Sequence, residues 1–463
     1  MTKGSSSEKQ TSRTPNKAKS IGVGVQASGK EVLCAHVADQ LLAQNTFKTL
    51  RDTDEILCYS NGLYHFNGEA YVAELVESEM REVGGGGLVT SKFVNEIVGH
   101  IRRRTYIDRQ ELNSEPNLLN LENGILNLDN FELRDHDKHF LSTIRIPIQF
   151  NPDARCPRID KFLKEIVDPE HAPFLYEIVA WCLDTSYLIR YVVLLLGEGA
   201  NGKSTYLELL RTFLGKGNCS AIPLQAFSWR FSLAGTYGKL ANIYADLSSR
   251  DLYDTSVLKL CTGGDMVRGE SKFKNEFYFH PTAKLVFSAN IPPKIEEDTL
   301  AIWRRFITLQ FPKQFIGAKQ DKHLLSKLTT PQELSGLLNV ALAALKHLRE
   351  TEEFSYAPSS GEVRETYLIS ADPVQAFLEE RCYITPEKWI SKEDMFHEFI
   401  QFCSEKHVPG YTKTKLGRVL AKQRQIRSQG TGWQGITLKR LVSGEEISEQ
   451  GNETVVRLHM SSN

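Results

Sequence analysis

One stretch constrains this chain more than any other: residues 191–205 read YVVLLLGEGANGKST, and YLELLRTFL comes directly after. The apolar, β-prone run predicts a buried strand, and the segment from Tyr206 predicts a helix. Between them stands G-x-x-x-x-G-K-S, and strand, glycine loop and helix together form the setting of a phosphate-binding loop. Gly197 and Gly202 permit backbone angles that turn N–H groups towards phosphate oxygens. The loop residues Gly197, Glu198, Gly199, Ala200, Asn201, Gly202, Lys203, Ser204 and Thr205 are the candidate nucleotide cradle. The helix N-terminus adds partial positive charge, Lys203 would reach the β/γ-phosphates, and Ser204 would hold Mg²⁺. The expected ligand is a nucleoside triphosphate with Mg²⁺.

Bulk properties narrow the class. A length of 463 residues accommodates two or three domains with real cores. A formal net charge of −1 gives no global pull on nucleic acid, so any such contact must come from local patches. The 8 cysteines are scattered without C-x-x-C spacing, which argues against zinc and against a disulfide framework and fits a reducing interior. No apolar run approaches a membrane span and the polar N-terminus lacks a signal-peptide core, so a cytoplasmic location is expected.

Along the chain, residues 1–30 carry six Lys/Arg against one Glu and read as a disordered basic tail. Residues 31–159 read as a mixed α+β domain, with Asn61-Gly62 and Asn123-Gly124 marking hairpin turns and helices over 70–82 and 92–104. Residues 160–350 interleave strands and helices as an α/β layer. Residues 351–371 read as a linker, and 372–463 as a small C-terminal domain.

The segments C-terminal to the glycine loop decide the class of nucleotide enzyme. KLANIYADLS (239–248) reads as a strand ending in Asp246, 43 residues after Lys203. An acid there can hold the Mg²⁺ water shell or orient the attacking water. PTAKLVFSAN (281–290) is a further apolar strand, ending at Asn290, whose amide can position water. IWRRF (302–306) sets Arg304 and Arg305 between large apolar groups; one of them suits an arginine finger reaching a neighbour's γ-phosphate. Between acid and amide, LCTGGDMVRGESKFKNEFYF (260–279) predicts a loop and hairpin. Lys272 and Lys274 fall on one face of it and Phe273 on the other. Such a loop could grip a nucleic-acid backbone inside a ring, or be a solvated hairpin.

In this order, GEGANGKST, NIYADLSS, TGGDMVRGESKFKNEF and PTAKLVFSANIPPKIEEDTLAIWRRF resemble the superfamily 3 helicases, most nearly the phage, plasmid and poxvirus primase-helicase group. NLENGILNLDNFELRDHD and IPIQFNPDARCPRIDKFLKEI are similar to the domain that precedes the helicase core in those proteins. The resemblance implies an AAA+ core that hydrolyses ATP with Mg²⁺, assembles as a homo-hexamer and moves 3′ to 5′ on single-stranded DNA. It implies that Lys203 and Ser204 bind phosphate and metal, that Asp246 is the Walker B acid and that Asn290 is the sensor. Lys272 and Lys274 would contact DNA, and Arg304 or Arg305 would act in trans. One departure is Ala245 directly before Asp246, where the family often has a second acid; the general base is then Asp246 or Glu198. About 160 residues before the core leave no room for a primase, so the expectation is the helicase part alone, with a primase or polymerase as a separate partner.

Residues 411–440 hold eight Lys/Arg and no acid. Lys413, Lys415, Arg418 and Lys422 lie on or beside one predicted helix, and glycines around Trp433 suggest a β-wing, similar to a winged helix. DNA docking or protein docking would both use such a face. The expected function is an ATP-dependent replicative helicase of a virus, phage, plasmid or integrated element, acting on single-stranded and forked DNA. The alternative is an ATP-switched initiator or loader that binds DNA without unwinding it. A small-molecule kinase fits less well, because no lid or acceptor pocket is evident.

Overall fold

The computed structural model describes residues 29–186, 188–272, 275–317 and 320–439. The basic tail up to residue 28, Lys274 and everything from residue 440 lie outside the described residues.

The N-terminal domain comprises α1 (Gly29–Gln44), β1 (Phe47–Leu50), β2 (Ile56–Ser60), β3 (Leu63–His65), α2 (Gly68–Glu82), α3 (Ser91–Arg104) and β4 (Tyr106–Ile107). β5 (Leu118–Leu121), β6 (Gly124–Asn127) and β7 (Leu133–Arg134) form a separate meander. The four-stranded sheet runs β3-β2-β1-β4. Val72, Val76, Ile97 and Ile101 of α2 and α3 are buried with Phe47 and Ile56 of the sheet. The β2–β3 turn takes left-handed angles at Asn61 (φ 49°) and Gly62 (φ 78°), as a two-residue hairpin turn of this twist demands. At the second hairpin Gly124 serves packing instead: it pairs with Leu121, and a Cβ there would stand 2.4 Å from the Arg134 carbonyl oxygen of β7.

The central domain starts with α4 (Pro157–Ile166) and α5 (Ala172–Leu183), followed by β8 (Val192–Leu196), α6 (Lys203–Leu214), β9 (Cys219–Ser220) and β10 (Ala241–Tyr244). Next come α7 (Ser256–Gly263), the hairpin β11 (Val267–Gly269) and β12 (Phe277–Phe279), β13 (Lys284–Ala289), α8 (Leu300–Trp303) and β14 (Phe306–Gln310). It closes with α9 (Leu324–Leu328), α10 (Pro331–Thr351) and α11 (Ser360–Ala371). Five strands form one parallel sheet in the order β14-β8-β13-β10-β9. A parallel sheet needs cover on both faces, which is why β8 is wholly apolar and both β8 and β13 are buried throughout, β13 with Lys284 and Ser288 among its residues. Val193 and Leu195 face the core built with α4, α5, α6 and α10; Val192, Leu194 and Leu196 face the opposite core with Phe227, Trp303 and Tyr367.

The 351–371 segment, expected as a linker, is helical from Ser360. Val363 and Tyr367 of α11 are buried, Tyr367 lies 5.1 Å from the Trp303 ring, and its hydroxyl donates to the Pro293 carbonyl at 2.7 Å.

The C-terminal domain contains α12 (Pro373–Arg381), β15 (Cys382–Ser391), α13 (Lys392–Glu405), α14 (Lys413–Leu420), β16 (Arg427–Gln429) and β17 (Gly432–Leu438). Its antiparallel sheet runs β15-β17-β16. Phe377, Phe399, Phe402, Leu416, Trp433 and Ile436 give it a core of its own.

Candidate nucleotide site and nucleic-acid face

β8 ends at Leu196 and the chain enters the glycine loop. Gly197 adopts φ 143°, and a Cβ there would meet Asn201 Nδ2 at 2.6 Å and the Phe311 carbonyl oxygen at 2.7 Å. Gly202 adopts φ 91°, and its Cβ would press on Ile166 of α4 at 2.5 Å. Both positions therefore require glycine, for conformation and for space. The loop is braced from the segment after β14: the Asn201 amide donates to Phe311 O at 3.3 Å, and Phe315 N donates to Ala200 O at 2.7 Å.

Lys203, the first residue of α6, folds its side chain back into this loop. Its ammonium donates to Gly197 O (2.6 Å), Glu198 O (3.0 Å), Asn201 Oδ1 (3.1 Å) and Asn290 Oδ1 (3.3 Å). Burial pushes its pKa down to about 8, while the carboxylates of Asp246 and Glu198 pull the other way. The ammonium is thus held by neutral oxygens, an arrangement a phosphate can replace. Ser204 is exposed and Thr205 half-buried on the first turn of α6.

Topology brings the other candidates to the same end of the sheet. Ala289 pairs with Leu196, so Asn290 emerges beside the loop. Tyr244 pairs with Phe287, and two residues on Asp246 is exposed, with φ 63° and its N–H donating to Ser288 Oγ at 3.3 Å. The Ser204 hydroxyl and Asp246 carboxylate are hard oxygen donors that fit Mg²⁺, which takes phosphate oxygens and water for its other positions. Among the described residues no group of three or more His, Cys, Asp or Glu could hold a metal by itself. Glu198 is engaged elsewhere: its carboxylate accepts from Gln314 Nε2 and from the Gly410 N–H of the C-terminal domain, the latter at 3.2 Å.

A cavity of about 480 Å³ opens beside the loop, lined by Phe162 and Ile166 of α4, Gly202, Thr205, Phe315 and Leu324. The apolar part of its wall adjoins the loop, and Arg158, Lys161, Glu165, Asp321 and Lys327 make the rest of it charged. α4 is held in place by Glu333 of α10, whose carboxylate accepts from the Arg158 and Ile159 N–H groups at 3.2 and 3.1 Å.

Arg304 and Arg305 lie at the far end. Phe306 pairs with Val192 and Gln310 with Leu196, so the arginines sit five residues, about 17 Å, from the loop of their own chain. The two differ. Arg305 donates to Thr262 Oγ1 at 3.1 Å and to the Ala301 carbonyl, and it is half-buried. Arg304 is exposed and makes no side-chain hydrogen bond or ion pair among the described residues.

The expected hairpin is present as β11–β12, with Lys272 exposed in its turn; Lys274 lies outside the described residues. Beside it stands a segment that the sequence patterns did not single out, Trp229-Arg230-Phe231. Trp229 is 65% exposed and Phe231 39%, and Arg230 bonds Glu270 of the hairpin at 2.6 Å. Aromatics interleaved with arginine were the available signal. In the C-terminal domain Lys413 pairs with Glu393, and the Lys415 ammonium lies 3.4 Å from the centre of the Tyr411 ring. Arg418 and Lys422 are exposed and unpaired among the described residues.

Comparison with known proteins yields partial matches. Residues 86–168 match the family model described as "D5 N terminal like", and residues 195–305 match a family of unknown function, DUF5906. The Acanthamoeba polyphaga mimivirus protein named "Putative helicase L207/L206" is 27% identical over 235 residues. That match takes in 46% of this chain and 24% of the viral protein, so the chain spans about a quarter of that relative's length. Two apo structures of the NrS-1 C-terminal region superpose with TM-scores of 0.47 and 0.45, at 11% and 13% identity. Each match covers 88% of this chain and 99% of the other. No described helix is long and apolar enough to cross a membrane.

Proposed function

We propose that this chain is the ATP-hydrolysing motor of a DNA replication helicase of the superfamily 3, AAA+ type, serving a virus, phage, plasmid or integrated element. One observation carries the reading. Lys203, Asn290 and Asp246 converge at one end of the parallel sheet, while Arg304, unpaired among the described residues, stands at the other, out of reach of its own site. With Arg304 as the finger, the nucleotide site is complete only when subunits stack head to tail, as in a ring. The β14-β8-β13-β10-β9 order, which inserts the Asn290 strand between the loop strand and the acid strand, supports the AAA+ assignment. The match to a viral protein named as a helicase supports the same direction.

In this reading Lys203 leaves its loop carbonyls for the β- and γ-phosphates, and Asn290 orients the attacking water. Asp246 accepts the water's proton as oxygen attacks the γ-phosphorus and the bond to ADP breaks; with both Glu198 oxygens engaged by Gln314 and Gly410, Asp246 is the better-placed base. Bound Mg²⁺ would neutralise phosphate charge, held through Ser204 and Asp246. Arg304 from the neighbouring subunit stabilises the transition-state charge. Lys272, together with Lys274, contacts the phosphate backbone of single-stranded DNA, and Trp229 and Phe231 offer stacking surfaces for bases.

The C-terminal domain, with its helix α14 and β16–β17 wing, is read as a winged-helix-like DNA-binding module carrying Lys413, Lys415, Arg418 and Lys422. That exposed basic face also favours a second reading, an ATP-switched initiator or loader. Single-stranded DNA should stimulate continuous ATP turnover by the purified chain, and Lys203→Ala should remove all of it. Turnover indifferent to DNA would refute the motor.

A further inference from the structure

Arg109 belongs to the N-terminal domain and its side chain is only 7% exposed. Asp52 grips its guanidinium with both oxygens, at 2.6 and 2.9 Å, and Thr53 Oγ1 accepts a third bond at 3.1 Å. That fork is built within one domain, but the guanidinium projects into another. Its carbon lies 4.2 Å from the centre of the ring of Phe277, the first residue of β12, and 4.7 Å from that of Tyr237. Tyr237, Phe277 and Phe279 form one cluster with ring centres 5.2–5.6 Å apart. Phe277 in turn covers Gly269 on the paired strand: a Cβ at Gly269 would stand 2.7 Å from the ring. The N-terminal domain meets this cluster a second time through Phe66, edge-on to Tyr237 at 6.3 Å.

A planar guanidinium held by a bidentate carboxylate has one orientation, and rings that rest on it take their position from it. An aliphatic side chain would leave them free to slide. We infer that Arg109 is the positioning residue that aims the β11–β12 hairpin, so that Lys272 in its turn takes its height from the N-terminal domain. The inference rests on the proposed function in that the hairpin contacts DNA. It adds that the N-terminal domain, by holding Arg109 through Asp52, sets where the strand is gripped.

The test uses the full chain with Arg109→Lys and Arg109→Ala; lysine keeps the charge and one bond to Asp52 but loses the planar fork. Hydrogen exchange of the β11 and β12 amides should quicken about tenfold in both variants, while β1 and β2 exchange at the wild-type rate. Stimulation of ATP turnover by single-stranded DNA should fall about fivefold or more, with turnover in the absence of DNA unchanged. Unchanged hairpin exchange, with DNA stimulation intact, would overturn the role of Arg109 alone. Equal quickening in β1 and β2 would make it a structural residue of its own domain and overturn it too. Wild-type turnover that ignores DNA would instead refute the motor reading, and the aiming role with it.

Discussion

If Lys203 receives the phosphates as proposed, its state makes nucleotide affinity depend on pH in a direction that can be worked out. Its ammonium is buried, and burial lowers its pKa from 10.5 to about 8 despite Asp246 and Glu198. The free native chain thus loses this proton well before the unfolded chain does. Between about pH 8 and 10.5 the unfolded chain binds more protons, so this group's contribution to native stability rises with pH through that window. Phosphate binding needs the charged form, so affinity moves the other way. Below pH 8 the ammonium is largely intact and affinity is level. Above it, each pH unit should weaken ATP binding about tenfold, or ~1.4 kcal/mol, until binding without the charge takes over. Titration of a fluorescent ATP analogue from about pH 7 to 9.5 reads this directly. Lys203→Arg, charged throughout, should lose the dependence. Affinity level through about pH 9 in the wild type would refute the reasoning, because the phosphate-binding group would then keep its proton well above pH 8.

Arg304→Ala should leave ATP binding intact and abolish hydrolysis, and mixing it with Lys203→Ala should restore part of the turnover, since each subunit supplies what the other lacks. Arg305→Ala, which strips bonds to Thr262 and Ala301, should instead lower stability by about 1–3 kcal/mol in chemical denaturation. Gly336→Ala on α10 would place a Cβ 2.2 Å from the Arg155 carbonyl carbon; overpacking there should lower stability by about 1–3 kcal/mol, and loosening of α4 should weaken ATP binding, measured on the same preparations. Arg418→Ala with Lys422→Ala should reduce the salt slope of duplex DNA binding by about two charges without changing basal turnover, read by anisotropy at several salt concentrations.

Local signals marked much of the candidate site. The strand, loop and helix around Lys203 and the strand ends at Asp246 and Asn290 are contiguous patterns, and the sheet brings them together because parallel strands end on one side. Arg304 and Arg305 could not be separated by reading, since the difference lies in Thr262, which reaches Arg305 only through the fold. The engagement of Glu198 by Gly410 spans 212 positions and left no mark in sequence. Arg109 was silent for the same reason: its partners are Asp52 and Phe277. Two misses did have signals. Ser359 and Glu362 form a capping box that announces α11 inside the expected linker. β15 was not singled out although Tyr383-Ile384 and Trp389-Ile390 are β-prone; Pro386 falls between them, where the pairing with β17 shifts register between Ile384 and Trp389.

The central claim is that ATP turnover drives strand separation. A forked duplex with a labelled strand, incubated with the chain, Mg²⁺ and ATP, tests it most directly, with Lys203→Ala alongside. Release that requires ATP and vanishes in the variant is the expected result. ATP turnover at the wild-type rate with no strand released would contradict the motor and leave the initiator or loader.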